Sequence, residues 1–218
     1  MIKSLLVRAR EARAAELGDG EGLEEGFTLI ELMVVLLIIA ILLAIAIPTF
    51  LGVTNSASDR AAQSNLTNAL TEAKAIFQNS SSYTGATPAV FTASAPEFSW
   101  RTGATNGCAA AQTSTCVSMQ VVDVAAANDG LGLIMASYSA KSSTCWYAVD
   151  LEANPVSTTG GGMPFIGTGV APTGATTAGA FYAKKSNAVT ASNCEANWAA
   201  TQAAFGWGAS YANPGAGA

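Results

Sequence analysis

From Leu32 to Ile47 every position is apolar, and no polar stripe interrupts the run at helical spacing. With Phe27 to Glu31 in front it makes 21 residues. As a helix these would extend roughly 31 Å at about 1.5 Å per residue, which matches the hydrocarbon core of a bilayer. A soluble core helix would keep a polar face, so the segment is predicted to cross a membrane. No second run of comparable length exists, so it crosses once.

Beyond the run the period changes. Leu66, Leu70, Ala73 and Phe77 recur at i, i+4, i+7 and i+11, with Asn65, Asn68, Glu72 and Lys74 elsewhere on the turn. This predicts one helix from Leu29 to Gln78, about 75 Å long. Its first half is apolar all round and its second half amphipathic, and Asn79 to Tyr83 ends it. Pro48 and Gly52 lie between the halves, where a kink or a locally unwound turn is expected.

The pattern then shortens to alternation. Cys116 to Val124 places Val117, Met119 and Val121 on one face and reaches the turn Asn128-Asp129-Gly130. Leu131 to Ser139 returns, Lys141-Ser142-Ser143 turns again, Cys145 to Leu151 makes a third strand, and Ala178 to Lys184 a fourth. Ala86 to Gln112, with Pro88, Pro96, Gly103 and Gly107, reads as irregular. The expected fold class is α+β: a long N-terminal helix whose second half packs on an antiparallel β-sheet head stapled by disulfides. Asn154 to Thr177 is rich in Gly, Thr and Pro but has no phosphate-loop spacing, so it reads as an exposed loop. Ser192 to Glu195 is placed to cap a short helix through Ala204. Trp198, Phe205, Trp207 and Tyr211 then read as aromatics packing the tail onto the head, with a partner-binding stripe as the alternative.

Composition narrows the chemistry. The 218 residues are only 11% charged and contain no histidine, which removes every His-dependent triad or base and the commonest zinc ligand. Ten of the charges sit in residues 1–26: Lys3, Arg8, Arg10 and Arg13 against Glu11, Glu16, Asp19, Glu21, Glu24 and Glu25. The remaining chain carries six basic and nine acidic residues, the wrong sign for a nucleic-acid surface. No nucleophile–base pair is visible, so an anchored enzyme is disfavoured, and no cofactor is expected. The four cysteines, Cys108, Cys116, Cys145 and Cys194, all follow the span, and an even number in an exported domain points to disulfides. Three pairings are open. Cys108–Cys116 with Cys145–Cys194 is favoured, since the first closes a hairpin-like loop and the second ties the C-terminal segment to a strand. Without histidine or a C-x-x-C pair, a metal site is not expected.

The junction before the span admits several readings. Ala44-Ile45-Ala46 has the small-x-small form of a signal-peptide site, which would start the mature chain at Ile47. A plain anchor with a cytoplasmic N-terminus is another. A third comes from Gly26-Phe27-Thr28-Leu29-Ile30-Glu31-Leu32-Met33-Val34-Val35, followed by Pro48 and Phe50. This stretch resembles the prepilin cleavage motif of type IV pilins and the related pseudopilins. The leader is longer and more acidic than the short basic leaders of many such proteins.

The resemblance implies cleavage after Gly26 by a prepilin peptidase and methylation of the new amine of Phe27. It also implies self-association into a helical filament, driven by an assembly ATPase and a platform membrane protein. The corresponding division is a leader at 1–26, a membrane and filament-core helix at 27–50, an amphipathic half at 51–82 and an exported head at 83–218. The chain would sit as a single span in the cytoplasmic membrane, leader inside, before reaching an extracellular pilus. Glu31 has two readings. Thr28 as N-cap with Glu31 three residues on forms a capping box. Alternatively, the carboxylate awaits the Phe27 ammonium of a neighbouring subunit, which would offset the cost of a charge near the membrane edge. Other roles stay open: a pseudopilin or minor pilin of a type II secretion or DNA-uptake machine, or a filament-borne adhesin or DNA receptor.

Overall fold

The computed structural model describes residues 26–103, 108, 115–124, 129–155, 177–186, 194–197 and 206–216. The chain divides into two compact units, Met1–Thr49 and Phe50–Ala218, and each is described by itself.

In the first unit the described residues are the start of helix α1, which runs from Leu29–Ser80. Every described position here is exposed, with Leu42 61% accessible and Ile45 66%. An 18-residue window of α1 reaches a mean hydropathy of 3.2, with none of it buried. The backbone remains α-helical through Pro48 and Gly52, so no turn is unwound there. Pro48 lacks an N–H. The Thr49 hydroxyl returns a donor to that stretch, bonding to the carbonyls of Ile45 at 3.2 Å and Ala46 at 2.9 Å.

The second unit is a sheet of six strands in the order β1-β2-β3-β4-β5-β6. The strands are β1 Ser99–Thr102, β2 Cys116–Val122, β3 Gly132–Ser139, β4 Thr144–Leu151, β5 Gly179–Lys185 and β6 Gly215–Ala216. The four strands expected from alternation are the antiparallel centre, β2 to β5. Each flank adds a short parallel strand, β1 on β2 and β6 on β5, so the sheet is mixed. The stretch from Ala86 is also more ordered than its prolines imply. Helix α2, Pro88–Ser94, starts with Thr87 accepting from the Val90 N–H and Pro88 in the first turn, where its missing N–H costs nothing. It buries Phe91 against Trp100, with ring centroids 4.4 Å apart.

β3 and β4 are buried along their whole length, because both sheet faces are covered. On one face Leu133, Met135, Trp146 and Ala148 meet Ala62, Leu66, Ala69, Leu70 and Ala73 of α1. On the other, Ile134, Ala136, Tyr147 and Val149 meet Cys194, Ala196 and Trp207 from the C-terminal part. Strand alternation divides the two sets, and the helical stripe matches only the first. α1 stops where Ser81 adopts φ 57°, the left-handed conformation that closes a helix, and its N–H bonds back to Phe77. Cys108 pairs with Cys116 and Cys145 with Cys194, with Cα–Cα distances of 5.4 and 5.3 Å. Most of the Gly/Thr-rich 154–177 stretch, Trp198, Phe205 and most of the helix expected through Ala204 lie outside the described residues.

Candidate functional site

The residues expected for cleavage, methylation and assembly, Gly26, Phe27, Thr28 and Glu31, lie together at the start of α1. Thr28 and Glu31 form a reciprocal box. The Thr28 N–H and hydroxyl donate to Glu31 Oε2 at 2.8 and 2.6 Å, and the Glu31 N–H donates back to the Thr28 hydroxyl at 3.3 Å. The Thr28 carbonyl accepts from the Leu32 N–H at 3.3 Å, the first bond of the helix. This satisfies donors that a helix start otherwise leaves open and sets a negative group at the positive end of the helix dipole. Both bonds to the carboxylate fall on Oε2, so Oε1 takes no donor among the described residues.

Phe27 stands 87% exposed beside this box. A Cβ added at Gly26 would meet no atom within 4 Å among the described residues, so local packing does not demand glycine there. The arrangement is therefore a carboxylate with an open oxygen and an exposed Phe27 beside Gly26, at the head of a helix whose residues through Val53 are exposed among the described residues. It can accept a cationic donor.

The head holds a second polar assembly that alternation alone did not single out. Asp150, 1% exposed on the α1-facing side of β4, accepts from the Tyr83 hydroxyl at 2.7 Å and lies 3.5 Å from Lys74 Nζ of α1. Burial, then the bond to Asp150, pushes the Tyr83 phenol far above its ordinary range, so it stays a neutral donor. Glu152, though largely exposed, is raised too, first by partial desolvation and then by the Asp150 carboxylate, while Lys74 opposes the rise. At the other end of the helix–sheet contact, Asp59 accepts from the Ser142 hydroxyl and, at 3.3 Å, from Trp146 Nε1. Ser139 donates to Ser58 at 3.0 Å beside it. Two polar pins thus bracket the apolar stripe Ala62–Ala73 and fix its register on the sheet. The available signal was Asp150 itself: residues 146, 148 and 150 share a face, and an aspartate there requires a partner on the covering helix.

Among the described residues no three acidic or cysteine side chains cluster as metal ligands. All four cysteines are spent in disulfides.

Residues 23–47 match the family model described as the prokaryotic N-terminal methylation motif, the prepilin-type signature. This match supports a type IV pilin-like, prepilin-type protein, a class of structural subunits processed by prepilin peptidase, and together with the apolar helix it indicates membrane anchoring. Neither the curated proteins nor the solved structures yield a match to the chain.

Proposed function

We propose that the chain is a structural subunit of a type IV pilus-like filament rather than an enzyme. It is cleaved after Gly26, methylated at Phe27, and extracted from the membrane into the filament by an assembly ATPase and a platform membrane protein. The observation that supports this reading is the Glu31 box at the start of the apolar, exposed first half of α1. Cleavage turns Phe27 into an ammonium, and the open Glu31 Oε1 of one subunit then has a matching cation on the next. The apolar helix leaves lipid for an equally apolar bundle of helices, so the hydrophobic term is nearly unchanged and the charge pair sets the axial step. The low charge of the head supports the same reading, since Ser, Thr and Ala surfaces lose less on desolvation than ionic ones.

The test is a count of surface filaments by electron microscopy in cells whose only copy is wild type or Glu31→Gln. The expected result is loss of filaments for Glu31→Gln while the chain stays in the membrane with both disulfides formed. Normal filaments from Glu31→Gln would overturn the role of the pair. A wild-type chain that is processed yet found only in membranes would instead mark a pseudopilin.

A further inference from the structure

The last described segment, residues 206–216, grips the outer edge of β5 from both sides. Tyr182 and Gly208 exchange two backbone hydrogen bonds, each 2.8 Å. Gly215 and Ala216 then pair in parallel with Ala183 and Lys184. Between these pairings the segment folds back on itself, with the Asn213 N–H bonded to the Ser210 carbonyl at 3.2 Å. Its two aromatics go to opposite faces of the sheet. Trp207 is buried in the cluster away from α1. Tyr211 packs tilted against Tyr182, with ring centroids 4.2 Å apart, and edge-on against Trp146 at 5.9 Å, on the α1-facing side. The fold-back is close enough that a Cβ at Gly208 would collide with the Asn213 carbonyl, and one at Gly215 with the Gly206 carbonyl.

β5 needs such cover. Its sequence, Gly-Ala-Phe-Tyr-Ala-Lys-Lys, has no proline and alternates Phe181 and Ala183 against Ala180 and Tyr182 on the two faces. A strand of that kind with an open backbone row is a template for a further strand. We propose that residues 208–216 are an edge guard, and that its removal lets β5 pair with β5 of a second copy of this chain. The lysines select the geometry. Antiparallel pairing centred on Tyr182 sets Lys184 opposite Ala180 and Lys185 opposite Gly179, whereas parallel pairing stacks lysine on lysine. The proposal stands apart from the filament reading, which concerns the other end of the chain.

The test uses the full chain in detergent, intact or ending at Trp207 so that the buried indole is kept. An equal mixture of isotopically light and heavy protein is treated with an amine cross-linker and digested, and amide exchange is followed in parallel. The expected result, with a cross-linker long enough to span the roughly 14 Å that antiparallel pairing leaves between the two Lys184 positions, is a mixed-isotope Lys184–Lys184 link in the shortened chain that the intact chain lacks. Gly208→Val should produce the same link, and β3 and β4 amides should stay protected in both variants. Folded variants without that link would overturn the proposal. So would loss of protection in β3 and β4, because the segment would then be part of the core rather than a guard.

Discussion

Residues 29–53 and 54–80 of α1 belong to one unbroken helix, yet they face opposite circumstances. In the first half Leu36, Leu42 and Phe50 are each more than half exposed; in the second, Leu66 is fully buried and Leu70 nearly so. Both halves are helical, so helix formation does not distinguish them. The distribution of apolar residues around the axis does. A single stripe fits one surface, here the α1-facing side of the chain's own sheet, and leaves Ser64, Thr71 and Gln78 in solvent. An apolar girdle has no cover among the described residues and calls for lipid or other helices on all sides. The comparison teaches that the second half is satisfied within one molecule and the first only outside it.

The same substitution in each half breaks the comparison most sharply. Leu66→Ala is expected to destabilise the head by about 2–5 kcal/mol, the transfer term plus a cavity. Leu42→Ala should leave head unfolding within about 0.5 kcal/mol of wild type. Thermal unfolding followed by tryptophan fluorescence in detergent reads both. Next in size is the Cys145–Cys194 bridge, which closes a separation of 49 residues. Replacing both cysteines with serine should cost about 4 kcal/mol on the loop-entropy estimate. For Cys108–Cys116, at a separation of 8, the same estimate gives about 2.5 kcal/mol. Denaturant midpoints of the two double variants check the order.

Tyr83→Phe removes the donor to the buried Asp150 carboxylate and should cost about 1.5–3 kcal/mol, with membrane insertion unchanged. The smallest effect is a pH dependence. Glu152 has a folded pKa above its unfolded value, so it favours the fold while protonated, and that contribution is lost as pH rises through the raised value. Glu152→Gln should therefore stabilise the head at pH 7 by less than about 1 kcal/mol, the residue being exposed, with the gain vanishing below its unfolded pKa. Unfolding curves at several pH values on both proteins test the sign.

The helix, its change of period, the four central strands and the Thr28–Glu31 box were legible because each is written in local spacing. α2 also left a signal: Thr87-Pro88 is an N-cap followed by a first-turn proline, obscured by the short length of the helix. β1 and β6 were not legible. Four and two residues long, they are strands only because β2 and β5 offer them a partner, and contacts of that kind are set by the tertiary fold. The Lys74–Asp150–Tyr83 pin needed the register of α1 on β4, which periodicity places on the right faces without fixing which residues meet.

The central claim is that the apolar half of α1 is made to be handed from membrane to filament once the bond after Gly26 is cut. Intact-mass and N-terminal analysis of material sheared from the cell surface tests it most directly. The account predicts a chain beginning at methylated Phe27 and lacking residues 1–26. A surface chain beginning at Ile47, or one that keeps residues 1–26, would contradict it.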